Sequence, residues 1–121
     1  MYDSYRERVS LEKRIEECER MKAKHPGWIP IIAEKFSGDK NLPVFHKNRY
    51  IVPPHTTVGH FSYMIRSAVY VKPTMALFLF AKNYIPPGPL LLGELYGRCK
   101  EDDGFLYIVV CSETTFGTSF R

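Results

Sequence analysis

The first part of the chain carries apolar residues at helical spacing among charged ones. These apolar residues recur every three or four positions, at Leu11, Ile15, Cys18 and Met21. They predict one amphipathic helix. This helix begins after its cap, Ser10, continues to about Lys24 and is ended by Pro26. A shorter helical turn around residues 4–9 precedes it, so two helices are expected before the first strand.

After Pro26, short apolar runs typical of strands alternate with amphipathic segments typical of helices. Strands are predicted over residues 28–35 and 49–52, joined as a hairpin, and over 76–80 and 105–111. Thr56 or Thr57 caps a third helix, and residues 90–99 form a short fourth one. Pro30 indicates either an exposed edge or the beginning of a strand. The seven apolar residues at 105–111 are typical of a central strand buried on both faces.

This order of elements predicts one α+β domain of the β-grasp type, a four-stranded mixed sheet over a helix with two extra N-terminal helices. The 121 residues fit a single domain. We divide it into an N-terminal helical extension over 1–25, a core over 26–112 and a flexible tail over 113–121. The strand pattern itself stops at Cys111, and the last ten residues, Ser112–Arg121, show none.

Charge is distributed unevenly along the chain. The 17 Lys and Arg against 13 Asp and Glu give a net charge of +4. Residues 40–93 contain six of these cations and no carboxylate, which predicts a face of positive potential. The competing interpretation is that this stretch is mostly core and that its cations are ordinary solvated residues.

Residues that could support catalysis or bind a metal do not form a recognisable pattern. The cysteines Cys18, Cys99 and Cys111 form no CxxC pair and are expected to be buried thiols of a reducing compartment. The histidines His25, His46, His55 and His60 lack metal-ligand spacing. The charged N-terminus does not resemble a signal peptide, and the longest uncharged apolar stretch is too short to cross a membrane. We therefore expect a cytosolic protein that is not an enzyme and needs neither metal nor cofactor.

The strand at 49–52 has the features of an exposed edge, because a loop precedes it and Pro53-Pro54 ends it. Such an edge offers backbone hydrogen-bonding groups to an incoming peptide. Its residues alternate between the two faces of the sheet. One apolar pocket is expected beside Ile51, formed with Glu17, Met21, Pro30, Ile32 and Phe105. A second is expected near the third helix, formed by Val52, Pro53, Phe61 and Met64. The alternative is that all of these residues are simply core.

Seven segments of the chain resemble a known family. They are Glu12–Arg14, Ile29–Lys35, Lys47–Pro53, Thr57–Phe61, Met64–Arg66, Asp103–Tyr107 and Thr115–Gly117. In this order they resemble the autophagy ubiquitin-like modifiers, the family of the GABA-receptor-associated and microtubule-light-chain-type proteins. The resemblance covers about residues 10–117 and implies the ubiquitin-like form of the β-grasp fold.

The resemblance implies a precursor that is processed and then attached to a lipid. A cysteine protease would cut after Phe116-Gly117 and remove Thr118–Arg121. Activating and conjugating enzymes would then transfer the Gly117 carboxyl group to the amine of phosphatidylethanolamine. A two-chain lipid anchors a cytosolic domain firmly, whereas a single acyl chain holds it reversibly. The protein would thus be cytoplasmic and, after lipidation, bound to autophagosomal membranes.

The resemblance also implies that the edge strand binds cargo receptors through short aromatic-x-x-aliphatic peptides, often flanked by acids. The aromatic residue would enter a pocket of Glu17, Met21, Pro30, Ile32, Arg49, Ile51 and Phe105. The aliphatic residue would enter a pocket of Tyr50, Val52, Pro53, Phe61 and Met64. Lys47, Arg49 and Arg66 would attract the acids, and Phe78 and Phe80 match positions tied to processing and lipidation. Three positions depart from the family pattern: Trp28 replaces a basic residue, Thr56 a leucine and Met64 a valine.

Two other functions remain open at this point. The first is an unconjugated adaptor of the same fold that binds receptors, membranes or tubulin. The second is a nucleic-acid-binding domain that uses the basic face and its tyrosines, for which counterion release would give steep salt dependence.

Overall fold

The computed structural model describes residues 4–112 and contains the predicted elements in the predicted order. The helices are α1 (Tyr5–Arg8), α2 (Leu11–Lys24), α3 (Val58–Ala68) and α4 (Leu92–Cys99), and the strands are β1 (Ile29–Lys35), β2 (Arg49–Val52), β3 (Leu77–Phe80) and β4 (Leu106–Ser112). The side chain of Ser10 accepts a hydrogen bond at the start of α2, as predicted, and Thr57 does so at the start of α3. Phe116, Gly117 and the rest of the predicted tail lie outside the described residues.

The four strands form one mixed sheet in the order β2-β1-β4-β3. β1 pairs antiparallel with β2 and parallel with β4, and β3 pairs antiparallel with β4. The prediction of a four-stranded mixed sheet is confirmed, and β2 is an edge strand, as expected. Pro30 marks a strand beginning rather than an edge, because β1 lies inside the sheet and its pairing with β4 starts one residue later, at Ile31.

The inner face of the sheet packs against α3 and α4 and forms the main core. This core is built from apolar and aromatic side chains, and its helical contribution includes the fully buried residues Phe61, Ile65, Leu92 and Leu95. From the sheet, Ile31, Leu106 and Ile108 are equally inaccessible to water. Close packing of these side chains holds α3 and α4 on the sheet.

The outer face carries a smaller cluster, which α1 and α2 cover. Its buried members are Tyr5, Cys18, Ile32 and Phe105. A buried ion pair reinforces it, because an Nη of Arg14 lies 2.8 Å from an Oδ of Asp103, whose side chain is fully buried. The Tyr107 hydroxyl donates to the same carboxylate at 2.5 Å, and the Tyr5 amide donates to Glu34 at 2.8 Å. The N-terminal helices are therefore held by few apolar contacts and several polar ones.

β4 differs from its prediction in two respects. It is central, as expected, but it is not buried on both faces, since Val109 is exposed on the outer face beyond the cover of α1 and α2. The predicted strand also ended one residue too early, at Cys111. Ser112 is a fully buried strand residue, and its amide donates to the Asp39 carboxylate at 2.6 Å. That carboxylate, from the loop after β1, also accepts from the amides of Asn41 and Leu42.

Candidate functional site

The candidate peptide-binding site is centred on β2. Within the described part of the chain this strand is paired on one side only, with β1, in a register that sets Ile51 opposite Pro30 and Arg49 opposite Ile32. Its burial alternates as predicted, because Tyr50 and Val52 are buried towards α3 while Arg49 and Ile51 lie on the outer face. A peptide adding to the free edge would therefore meet both faces of the sheet at once.

On the outer face, the residues predicted to form the aromatic pocket divide into a closed floor and an accessible rim. Pro30, Ile32 and Phe105 are fully buried, and the Tyr5 ring packs edge-on against Phe105 with 5.8 Å between centroids. The remaining members are half-buried or exposed and form the rim: Met21, Ile51, Glu17 and Arg49. The adjoining cavity, of about 320 Å³, lies between α1, α2 and β2 and is lined mainly by charged side chains.

An ion pair crosses this rim. An Nη of Arg49 lies 3.2 Å from an Oε of Glu17, which also pairs with Arg20 at 2.7 Å. Glu17 thus contacts the cation that was predicted to attract acidic groups of a ligand. A ligand carboxylate at Arg49 would compete with Glu17 for the same guanidinium.

On the inner face, most of the predicted aliphatic pocket belongs to the main core. Tyr50, Val52 and Phe61 are buried, and the Tyr50 and Phe61 rings meet edge-on at 5.3 Å. Only Pro53 and Met64 are partly accessible. Burial raises the pKa of Tyr50, and its hydroxyl has no hydrogen-bond partner among the described residues. The accessible apolar surface here is therefore small and lies over a floor that contains one unsatisfied hydroxyl group.

The three cations predicted to attract acids are in different surroundings. The Lys47 ammonium lies over the Tyr50 ring, 4.7 Å from its centroid, next to the edge strand. Arg49 is on the strand itself. Arg66 instead donates to the Lys72 carbonyl at 2.8 Å and so is engaged with the loop after α3. Contacts thus join Lys47 and Arg49, but not Arg66, to the edge strand.

Phe78 and Phe80 lie on β3, at the edge of the sheet opposite β2. Phe78 stands opposite Cys111 and Phe80 opposite Val109, and both rings are half-buried. Trp28, just before β1, stacks on His25 with 4.8 Å between ring centroids. Any role of the β3 phenylalanines in processing would hence use a surface separate from the peptide site.

The sequence analysis did not identify Tyr5 and Cys18 as part of the site, although both close its floor. Ser4 and Glu7 form a capping box at the start of α1. This capping box is the local signal that the charged segment is helical, and the helix in turn positions Tyr5. Nothing in the local sequence marks which side chain of α1 turns inward, because the partner, Phe105, is 100 positions away in the chain.

The described residues offer no obvious catalytic centre. All three cysteines are buried and free, and burial raises the pKa of both Cys18 and Cys111 to about 11. Such thiols stay protonated at neutral pH and are poor nucleophiles. No group of three or more His, Cys, Asp or Glu within residues 4–112 is arranged to hold a metal ion. In the same range, no helix is long and apolar enough to cross a bilayer.

The fold and its exposed edge strand define the class: a ubiquitin-like protein with an N-terminal helical layer. The family model described as "Autophagy protein Atg8 ubiquitin like" matches residues 13–117. Autophagy-related protein 8h of Arabidopsis thaliana is 40% identical over 114 residues, covering 94% of this chain and 95% of the relative. Autophagy-related protein 8 of Schizosaccharomyces pombe is 38% identical over 120 residues, covering 99% and 98%.

Solved structures agree with this assignment. The crystal structure of Trypanosoma brucei ATG8 superposes with a TM-score of 0.86 at 26% identity, covering 93% of this chain and 97% of that one. The chain belongs to the Atg8 family of autophagy ubiquitin-like proteins. The predicted ubiquitin-like fold is confirmed, and the family consists of modifiers rather than enzymes.

Proposed function

We propose that this chain is a lipid-conjugated modifier that is trimmed to Gly117, joined to phosphatidylethanolamine and used to recruit receptors to autophagosomal membranes. Supporting this, the family match ends at residue 117, which is Gly117, four residues before the end of the chain. A glycine is the residue least hindered for enzymes that must thread a carboxyl end through a narrow channel. The unconjugated form would be cytoplasmic and the conjugated form would be on the autophagosome.

The observation that carries the receptor-binding part of the proposal is the edge of β2. Its outer side offers Ile51 and Met21, with Arg49 on the same face, and its inner side offers Pro53 and Met64, while Lys47 lies over the Tyr50 ring. An extended peptide on this edge would direct alternate side chains to the two faces. An aromatic residue and an aliphatic residue three positions later fit this arrangement, with flanking acids near the two cations.

The affinity of such a peptide should be modest. Burying one aromatic side chain of 150–250 Å² contributes roughly 4–6 kcal/mol at about 25 cal/mol per Å². Ordering of the peptide and of the rim side chains offsets part of this, so dissociation constants on the order of micromolar follow. The ion pair between Glu17 and Arg49 further restrains the contribution of acidic flanks.

The lipidation step is tested with a glycine exchange. Full-length chain, Gly117→Ala and Gly97→Ala are each incubated with the family's protease, activating and conjugating enzymes, ATP and phosphatidylethanolamine vesicles. Gly97 is the matched control because it is exposed on α4 and an added methyl group meets nothing within 4 Å. We expect a lipidated product from the parent and from Gly97→Ala, detected by intact mass, and none from Gly117→Ala.

A second chain, ending at Gly117, separates processing from conjugation, because it needs no protease. If Gly117→Ala is lipidated as well as the parent, the conjugation site is wrong. If neither the full-length chain nor the chain ending at Gly117 is ever lipidated while peptide binding persists, the protein is an unconjugated adaptor.

The peptide site is tested with a pair of isoleucine exchanges. Ile51→Asp puts a charge at the half-buried apolar rim and should weaken an aromatic-x-x-aliphatic peptide at least about tenfold. Ile85→Asp is the control, since Ile85 is exposed in the loop after β3, the strand at the far edge of the sheet. Both affinities are measured by calorimetry after circular dichroism has verified the fold. Equal affinities in the two variants would remove the β2 edge from the proposal.

A further inference from the structure

A second surface of the molecule, distinct from the β2 edge, joins exposed apolar side chains to lysines. Two adjoining cavities of about 460 and 420 Å³ lie between the loop after β1 and the loop after α3, and both are lined by Pro43 and Tyr70. We call this surface the tail-side groove and define it by Lys40, Pro43, Val44, Tyr70, Lys72 and Met75. It takes no part in the peptide site described above.

Tyr70 is the most unusual residue of the groove. It follows the C-cap of α3 with φ at +57°, a left-handed conformation that glycine adopts without strain and tyrosine does not. Tyr70 is 91% exposed and its ring adds no packing, whereas the backbone is closed by the Val71 amide, which donates to the Arg66 carbonyl at 3.2 Å. A strained, solvent-facing aromatic residue indicates a role other than stability. Val44 adds a second exposed apolar side chain to the same surface.

The charge of the groove is positive. Lys40 and Lys72 are both exposed and line it, and none of the described lining residues carries a carboxylate. Asp39, the carboxylate next to Lys40 in the chain, is buried and accepts hydrogen bonds from backbone amides. The combination of lysines, an aromatic ring and aliphatic groups is typical of surfaces that settle into the headgroup region of a bilayer.

The groove also lies beside the point where the C-terminal tail begins. On one side, Lys40 follows Asp39, whose carboxylate binds the Ser112 amide at 2.6 Å. On the other side, Met75 lies two residues before Leu77, which is the strand partner of Ser112. Both walls of the groove therefore adjoin the last described residue of β4. A lipid attached to the tail would bring a membrane close to this surface.

We propose that the tail-side groove is the face with which the conjugated protein docks on an anionic bilayer, a proposal that rests on the lipidation proposed above. Lys40 and Lys72 contact the acidic headgroups, while Tyr70 and Val44 enter the interfacial layer. Each lysine near an anionic surface strengthens binding by about fivefold. Such weak contacts suffice once a covalent lipid raises the local concentration of the surface. Docking fixes the orientation of the domain relative to the membrane.

The test uses a tether that needs no conjugating enzymes. A chain ending at Gly117 and extended by six histidines is bound to vesicles that contain a nickel-chelating lipid and brominated phosphatidylcholine, with or without phosphatidylserine. Trp28 is the single tryptophan of the chain. In the variant Trp28→Phe/Tyr70→Trp the fluorophore moves into the groove. Bromine quenches a tryptophan that enters the bilayer interface.

The parent serves as the reference for position. Trp28 lies just before β1. The six residue steps from Ile29 to Lys35 make this strand about 20 Å long, and this length separates the two ends of the sheet. Ser112 lies at the other end, because β4 runs parallel to β1. We expect strong quenching of the tryptophan at position 70 on phosphatidylserine vesicles and little quenching of Trp28. Quenching of neither tryptophan, with tethering verified by sedimentation, overturns the proposal.

Charge is tested by reversing the two lysines. In the tethered chain with tryptophan at position 70, Lys40→Glu/Lys72→Glu should remove most of the quenching on phosphatidylserine vesicles. Lys22→Glu/Lys24→Glu is the matched control, since it changes the net charge equally at the C-terminal end of α2, the end of the sheet where β1 begins. Either of two results overturns a specific anionic docking face. One is an equal loss in the two charge variants. The other is quenching of the tryptophan at position 70 that is as strong on neutral vesicles as on phosphatidylserine vesicles.

Two further outcomes are separable from these. Because the tether is chemical, failure of enzymatic lipidation leaves the quenching measurement intact, so the two proposals fail independently.

A single-stranded oligonucleotide is titrated against the same charge variants. Binding that depends on Lys40 and Lys72, with steep salt dependence and no vesicle docking, overturns the membrane assignment in favour of a nucleic-acid surface.

Discussion

The two faces of the sheet are covered by helices that are attached in different ways. On the inner face, α3 and α4 bury an apolar core with Phe61 and Ile65 at its centre. On the outer face, α1 and α2 cover a smaller cluster of four buried members, which the ion pair of Arg14 with Asp103 reinforces. Apolar packing degrades gradually when it is perturbed, whereas a buried ion pair fails when either partner is lost. The outer layer is therefore the face whose attachment single charges control, and it is also the face that carries the predicted aromatic pocket.

The largest expected effect comes from breaking that ion pair. Arg14→Met leaves the Asp103 carboxylate buried without its cation, which should lower the free energy of unfolding by about 3–5 kcal/mol. Urea unfolding monitored by circular dichroism measures the loss. Adding Asp103→Asn removes the uncompensated charge and keeps a side-chain oxygen for the Phe105 amide, which Asp103 now binds at 2.9 Å. The double variant should recover part of the loss. A cost below about 1 kcal/mol for Arg14→Met would contradict the contrast between the faces.

Alkaline pH should weaken the outer layer through Cys18. Burial raises the pKa of this thiol to about 11 from an ordinary value of 9.0, so the native state holds its proton more tightly than the unfolded chain. Its contribution is complete below pH 9 and is lost as the pH rises through 11, about 2–3 kcal/mol in all. We expect a shallower decline in Cys18→Ala when unfolding is followed between pH 8 and 11. Parallel declines in variant and parent would contradict this assignment.

A smaller gain is expected on the inner face from Tyr50→Phe. The Tyr50 hydroxyl is buried without a partner among the described residues, so its removal should stabilise the fold by about 1 kcal/mol. Urea midpoints of variant and parent give the difference. A loss of stability would mean that the hydroxyl is satisfied in solution.

The smallest effect is expected at the end of α3, where Tyr70→Gly relieves the left-handed backbone. The gain from relieved strain exceeds the extra entropy of glycine in the unfolded chain, which leaves about 0.5 kcal/mol of stabilisation. The same variant should reduce docking of the tethered protein on phosphatidylserine vesicles. A gain in stability together with a loss of docking would separate the two roles of position 70. A loss of stability would show that Tyr70 supports the inner layer after all.

Much of the architecture could be predicted from the sequence because local signals determine it. The spacing of apolar residues in α2 and α3, the caps at Ser10 and Thr57 and the strand runs gave the elements in order. The alternation of burial in β2 could be predicted because successive side chains of a pleated strand point to opposite faces of the sheet. The family resemblance, carried by segments spread over the chain, was confirmed by the comparisons.

What could not be predicted depends on contacts between distant positions. Asp39 binds the Ser112 amide across 73 positions, and Arg14 binds Asp103 across 89. A carboxylate in a loop normally faces water, so nothing in the local sequence indicates that either aspartate is buried. The sequence analysis likewise did not divide the predicted pocket into floor and rim, because the Tyr5 ring that covers Phe105 comes from a helix of four residues. Distinguishing floor from rim needs the tertiary structure.

The position of β4 between β1 and β3 has a mechanical consequence. A force applied to the carboxyl end of the strand pulls along its axis, and the ladders on both sides are then sheared together instead of unzipping bond by bond. The amide of Ser112 adds a further bond, to Asp39, at the point where the load enters. A load that enters at the carboxyl end of β4 would thus have to shear both ladders at once before the domain could unfold.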